Sequence, residues 1–144
     1  VRRLGHTLNS DLWAHRTLAE ALGDMADRLR RLGKLYVHVV TEGPPPRLPS
    51  DVCTILFRVC HEVVTNTVKH SGANALTITL HGDPAIITLA DDGKGFDTAT
   101  VSANAGLRII ERRCALIGFE AVCTSAVGRG CSWRLQPKAA EATA

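Results

Sequence analysis

An acid, an amide and a cation share one side of residues 61–70, His-Glu-Val-Val-Thr-Asn-Thr-Val-Lys-His. At about 100° per helical residue, Glu62, Asn66 and Lys69 fall within an arc of about 60°. That arc lies at the edge of an apolar stripe, so one lip of a buried helix presents all three. Such a triplet also fits an ordinary half-buried polar rim whose groups are satisfied. Two glycine-bearing stretches downstream weigh against that reading. Asp91-Asp92-Gly93-Lys94-Gly95 sets a carboxylate beside backbone that can approach a ligand closely. Gly106-Leu107 opens an apolar helical pattern whose first N–H groups suit an anion, with Arg108 and Arg112 adding positive charge.

The elements that must position these groups follow from periodicity. Val52, Ile55, Leu56, Val59 and Val63 recur at helical spacing, with Ser50-Asp51 as the N-terminal cap and Ser71-Gly72 as the stop. Leu76, Ile78 and Leu80 alternate with Thr77 and Thr79, a half-buried strand, and Gly82-Asp83-Pro84 turns the chain into a second strand, Ala85 to Asp91. Side chains alternate along a strand, so Ile87, Leu89 and Asp91 share a face. Asp91 then enters the crevice from which Asn66 looks back, and a carboxylate aimed there is costly without a partner. Residues 96–105 are small and polar and read as a loop. The helix opened by Gly106 runs to about Ile117, buried through Leu107, Ile110, Cys114 and Ile117. Two strands, about 120–124 and 131–135, flank Gly128-Arg129-Gly130.

Upstream, Ser10-Asp11 caps a helix to Leu32, with Gly33 as its stop. Leu18, Leu22, Met25, Leu29 and Leu32 step 4-3-4-3 along it. That seam fits packing on the domain's own core, and its coiled-coil spacing also fits a partner-facing helix. Leu35 to Val39 reads as a strand, and Glu42 to Pro49 as a stiff turn.

The chain of 144 residues is one domain with enough length for a core, and 45% hydrophobic with 22% charged residues is ordinary globular composition. A net charge of +3, few aromatics and no long basic run argue against nucleic acid. The five cysteines form no CxxC pair and read as reduced small hydrophobes of a cytoplasmic protein, with no structural zinc. No apolar run approaches the length of a membrane span. The chain starts at Val1 without methionine, so a piece of a larger protein is expected.

Taken in order, a helix with Glu62-x-x-x-Asn66, a strand ending Asp91-x-Gly93-x-Gly95, a connecting loop and Gly106-Leu107 resemble the GHKL ATPase superfamily. Within it the chain is similar to the ATP-binding catalytic domain of bacterial sensor histidine kinases, most closely the nitrate/nitrite-sensor-like subfamily. Leu48-Pro49, Lys69-His70-Ser71-Gly72-Ala73, Glu111-Arg112, Leu116-Ile117-Gly118 and Gly128-Arg129-Gly130 carry the resemblance further, over nearly all of residues 12–136. It implies a two-layer α/β sandwich, a mixed sheet of about five strands with three helices on one face and ATP between the layers. It implies that Asn66 binds Mg²⁺ bridging the phosphates, a hard cation taking a neutral oxygen beside phosphate charge. Asp91 would accept a hydrogen bond from the adenine amine, with Gly93 and Gly95 as the pocket wall. Gly106 and Leu107 would wrap the phosphates, Lys69 or His70 would touch them, and Glu62 stands where ATP-hydrolysing relatives keep a water-activating acid.

Two positions depart from the family pattern. Asn104-Ala105-Gly106-Leu107 replaces Gly-x-Gly-Leu, asparagine being the next best residue for a left-handed backbone. Cys131 replaces the usual threonine after Gly-x-Gly, so its hydrogen bond toward Asp91 would be weaker. No phosphoacceptor helix is visible, His61 lies inside the Asn66 helix, and His6 is too near the domain start. The expected organisation is a residual linker at 1–10, an ATP-binding domain at 11–137 and a tail at 138–144. The expected partners are a dimerisation and phosphoacceptor helical domain and a response regulator. An anti-sigma-factor-type serine kinase and a non-catalytic nucleotide-binding module are the alternatives.

Overall fold

Apolar residues alternate with polar ones along five segments, and these pair into a single mixed sheet. The computed structural model describes Trp13, residues 16–95 and residues 101–138, without the side chains of 101–105. Strands β1 (Tyr36–Glu42), β2 (Ala75–His81), β3 (Ile86–Asp91), β4 (Phe119–Ser125) and β5 (Cys131–Pro137) are arranged β1-β2-β3-β5-β4. β1 and β2 are parallel and every other pair is antiparallel. Helices α1 (Leu18–Arg31), α2 (Ser50–Asn66) and α3 (Val101–Ala115) cover one face, the two-layer α/β sandwich expected. Val37, Leu76, Ile78, Ile87, Leu89, Trp133 and Leu135 are buried beneath the helices, whereas Thr77, Ala90, Val122 and Arg134 are exposed on the other face. Each fully buried Leu or Ile contributes about 1.5–3 kcal/mol.

The cap expected at Ser10-Asp11 lies outside the described residues; Trp13 is helical, and the helix expected to run on to Leu32 is interrupted at residues 16–17, α1 starting at Leu18. Thr17 is extended (φ −86°, ψ 161°), its side chain accepts from the Glu20 N–H at 3.1 Å, and the Glu20 carboxylate accepts from the Thr17 N–H at 2.8 Å. This reciprocal cap satisfies two end donors at once. It also holds the Glu20 carboxyl below its ordinary range, chiefly through the Thr17 backbone. Leu18, Leu22 and Met25 are buried in the domain's own core and Leu32 is 61% exposed, so the seam packs internally over most of its length.

α2 also differs at its start. Pro49, not Ser50, occupies the cap position, and it offers no side-chain acceptor; Asp51 accepts from the Val52 N–H at 2.9 Å instead. α2 then ends in a widened π turn, Thr67–Ser71, closed by Gly72 in the left-handed region (φ 67°). Side-chain hydroxyls hold that turn: Thr67 donates to the Val63 carbonyl at 2.9 Å and Ser71 to the Thr67 carbonyl at 2.7 Å.

The third helix corrects the reading of residues 101–105 as loop, while 96–100 lie outside the described residues. Residues 101–105 are helical, so Gly106 sits inside α3 rather than at its opening. In an α-helix the Gly106 N–H is directed at the carbonyl of residue 102, so it is not one of the unpaired N-terminal donors. Asn104 is likewise helical; Asp83 is the one non-glycine at positive φ among the described residues. The linker expected at 1–10 lies outside the described residues. Of the tail expected at 138–144 only Lys138 is described, its N–H donating to the Gly118 carbonyl at 2.8 Å.

Candidate functional site

The widened end of α2 and the end of β3 meet at Ser71. Its carbonyl accepts from the Lys94 N–H at 2.9 Å, and its hydroxyl accepts from the Ala73 N–H at 2.9 Å. A Cβ on Gly93 would lie 2.6 Å from the Ser71 carbonyl oxygen. Only glycine lets the strand end press against the helix end there. Gly95 (φ 67°) is required for a second close approach, since a Cβ would run into the Ala126 carbonyl and lie 2.7 Å from that of Gly130. In this structure both glycines are needed for backbone meeting backbone, Gly93 against the end of α2 and Gly95 against the β4–β5 turn.

Between these ends lies a cavity of about 500 Å³. Asn66 and His70 from the α2 end, Asp91 and Gly95 from the β3 end, Gly106 and Leu107 from α3, and Cys131 from β5 all line it. Parity therefore brings Asp91 and Asn66 to one space, as the alternation along β3 predicts. Asp91 is half-buried, and its Oδ1 accepts from the Gly93 N–H at 2.8 Å. Its neighbour Asp92 points outward and braces the strand end, accepting from the Asn74 and Ala75 N–H groups at 2.9 and 3.1 Å. These donors, Ala75 first, hold the Asp92 carboxyl below its ordinary range.

Three expected residues do not line the cavity. Lys69 is exposed, because a π turn advances less than 100° per residue and shifts it out of the Glu62–Asn66 phase. Gly93 packs on Ser71 behind the wall. Glu62 is paired with Arg113 of α3 at 3.3 Å, a half-exposed bridge between two helices. The sequence reading omitted Thr67, Ser71, Lys94 and Trp133, which do line the cavity. Trp133 was legible, since it alternates with Cys131 and Leu135 on the buried face of β5.

A second cavity of about 490 Å³ lies at the other end of the sheet, among Trp13, Arg47, Leu48, Leu80 and His81. Among the described residues no carboxylate, amide side chain or glycine lines it, so the chemistry is sought in the first cavity.

A family model described as "Histidine kinase-, DNA gyrase B-, and HSP90-like ATPase" matches residues 52–141, well over half of the chain. The chain belongs to this ATPase family. An uncharacterized sensor-like histidine kinase of Chloroflexus aurantiacus is 37% identical over 93 residues, covering 58% of this chain and 16% of that protein. The sensor protein VraS of Staphylococcus aureus is 28% identical over 106 residues, covering 72% of this chain and 30% of VraS. The ATPase domain thus spans less than a third of the length of either relative. Among solved structures, a blue-light activated histidine kinase of Erythrobacter litoralis superposes with a TM-score of 0.66 at 22% identity, over 84% of this chain and 41% of that one. The Acinetobacter baumannii histidine kinase AdeS gives 0.63 at 16%, over 81% and 60%. At such identities these two likenesses speak to the fold of the ATPase domain, and family membership makes ATP the ligand implied for its crevice.

Proposed function

We propose that this ATPase domain binds Mg·ATP in the Asn66–Asp91 cavity and presents the γ-phosphate to a histidine on a separate helical domain, as the catalytic part of a two-component sensor histidine kinase. The subfamily we infer is the nitrate/nitrite-sensor-like one, on the motif phrases around Asn66 and Asp91. The observation that carries the reading is the meeting of Asn66, His70, Asp91, Lys94 and Gly106 around one cavity. Relatives named as sensor kinases support it.

The residues fit the ligand. Asp91, with one oxygen fixed by the Gly93 N–H, would accept from the adenine amine. Asn66 would give Mg²⁺ its neutral oxygen. No group of three or more His, Cys, Asp or Glu residues suited to a metal occurs among the described residues, and Mg²⁺ on a nucleotide needs none, since it keeps waters and phosphate oxygens as most of its ligands. His70 and Lys94 would face the phosphates, with Lys69 within reach from the helix surface. When bound, Mg·ATP supplies the phosphoryl group, and the chain's own contribution is positioning and charge neutralisation. Glu62 would serve as a water-activating acid only on release from Arg113. The remaining partners in this reading are the phosphoacceptor helical domain of the same protein and a response regulator, in the cytoplasm. Among the described residues no helix is long and apolar enough to cross a membrane.

Base selectivity tests the pocket. A carboxylate accepts from the adenine amine, whereas guanine presents a carbonyl oxygen there, so ATP and ADP should bind at least about tenfold more tightly than GTP. Asp91→Asn should lose most of that preference. Equal ATP and GTP affinities in the parent chain, measured by calorimetry, would contradict the assignment.

A further inference from the structure

Two thiols stand side by side on β4 and β5, and one of them, Cys131, lines the cavity. Cys123 on β4 lies opposite Trp133 of β5, and Cys131 lies opposite Ser125, so the two cysteines are diagonal neighbours across an antiparallel pair. Their sulfurs are 3.7 Å apart. A disulfide requires about 2.05 Å, so a movement of less than about 1 Å by each sulfur joins them. Cys131 is 9% exposed and lines the cavity, which gives a small oxidant a route to it.

The other three cysteines are placed differently. Cys53, Cys60 and Cys114 are buried in the helices, and burial pushes the Cys60 thiol up to about 12 and the Cys114 thiol up to about 11. Thiols so suppressed are poor nucleophiles. At the β4–β5 pair the hydrogen bond between the sulfurs works in opposite directions. It holds the Cys131 thiol below its ordinary value and raises that of Cys123, so Cys131 is the more readily deprotonated of the two. An activated thiol beside a resolving thiol is the arrangement that oxidises selectively.

We propose that Cys123 and Cys131 are a peroxide-oxidised dithiol whose disulfide lowers the affinity of the adjoining cavity for nucleotide. The Cys131 thiolate attacks one oxygen of hydrogen peroxide; the S–O bond forms, the O–O bond breaks, and the departing hydroxide takes a proton to leave as water. Cys123 then gives up its proton and attacks the resulting sulfenic sulfur. The S–S bond forms, the S–O bond breaks, and a second water leaves. Two thiols and one peroxide thus become one disulfide and two waters, and a dithiol reductant reverses the change.

The consequence for nucleotide follows from register, and it rests on the reading of Asp91 given above. Cys131 is the β5 partner of Asp91, and the preceding Gly130 (φ 75°) packs its backbone directly against the Asp91 carbonyl. Drawing the Cys131 sulfur toward β4 withdraws part of the cavity floor and twists the strand end that holds Asp91.

The test is peroxide treatment of the chain followed by peptide mass mapping without reductant, with nucleotide affinity measured before and after. The expected product joins the Cys123 and Cys131 peptides, is lighter by two hydrogens and separates again in dithiothreitol. The affinity for ADP should fall about threefold or more on oxidation and recover on reduction. In Cys123→Ser the reaction should stop at a sulfenic acid on Cys131, trapped by dimedone. A parent chain with no Cys123–Cys131 link, or with links through the core cysteines, overturns the proposal, and this result needs no variant to fold. A link that leaves ADP affinity unchanged overturns its effect on the cavity. A reduced chain that binds no nucleotide refutes the ATP reading instead, while the mass map still decides the dithiol chemistry.

Discussion

Gly106→Ala separates what this glycine does for folding from what it does for binding. Gly106 lies inside α3, and a Cβ built there meets nothing within 4 Å among the described residues. Alanine is better than glycine in a helix interior by about 0.5–1 kcal/mol. For a domain near this size, that gain raises the melting temperature by about 1–4 °C. Binding should move the other way. As a helical residue Gly106 has its N–H committed to the carbonyl of residue 102, so wrapping phosphate with residue 106 requires the first turns of α3 to unwind. The same 0.5–1 kcal/mol then opposes binding, a weakening of about two- to fivefold. Differential scanning calorimetry and titration with Mg·ATP read the two effects on one preparation. An alanine variant that is less stable, or that is more stable yet binds Mg·ATP undiminished, would refute the claim that α3 reorganises at Gly106.

Asp92 gives an acid-range prediction. Its folded carboxyl is depressed below the ordinary 3.8, so the stability it lends is present above that value and lost as pH falls through the lower folded value. Urea midpoints for Asp92→Ala should therefore fall less steeply with acid than those of the parent, and parallel curves would remove the brace. For phosphoryl transfer, the chain alone should bind ATP without labelling itself. His61 is held on exposed α2 surface beside Phe57 at 6.4 Å between ring centroids and is not among the described residues that line the cavity. Supplying the phosphoacceptor helical domain in trans should label that domain slowly, because tethering is lost. Acid-labile, base-stable radiolabel on the chain alone would show that one of its own six histidines accepts phosphate.

The parts of the site built by strict periodicity were legible in the sequence. Alternation along Ile87, Leu89 and Asp91 placed the carboxylate among the buried residues, and the α2 stripe placed Asn66 against it. Lys69 escaped because the helical wheel assumes a constant turn, and the π turn at Thr67–Ser71 breaks that assumption through hydroxyl bonds that no apolar spacing reveals. The start of α3 escaped for another reason. Residues 101–105 mix Ser and Asn with two alanines, so local preference is weak and Gly106 reads as a boundary although a helix tolerates it. Thr17-x-x-Glu20 was a readable cap that interrupts the helix expected from Asp11 to Leu32. The Cys123–Cys131 approach depends on strand register, which neither cysteine's neighbours in sequence announce.

The central claim is that Asn66 places Mg²⁺ on the phosphates of ATP held against Asp91. Calorimetric titration of the parent and of Asn66→Ala, each with ATP in the presence of Mg²⁺ and again with the metal chelated, tests it most directly. The account predicts at least about tenfold weaker Mg·ATP binding in the variant, about 1.4 kcal/mol, and a much smaller difference once the metal is removed. A folded Asn66→Ala chain that binds Mg·ATP as tightly as the parent would contradict it.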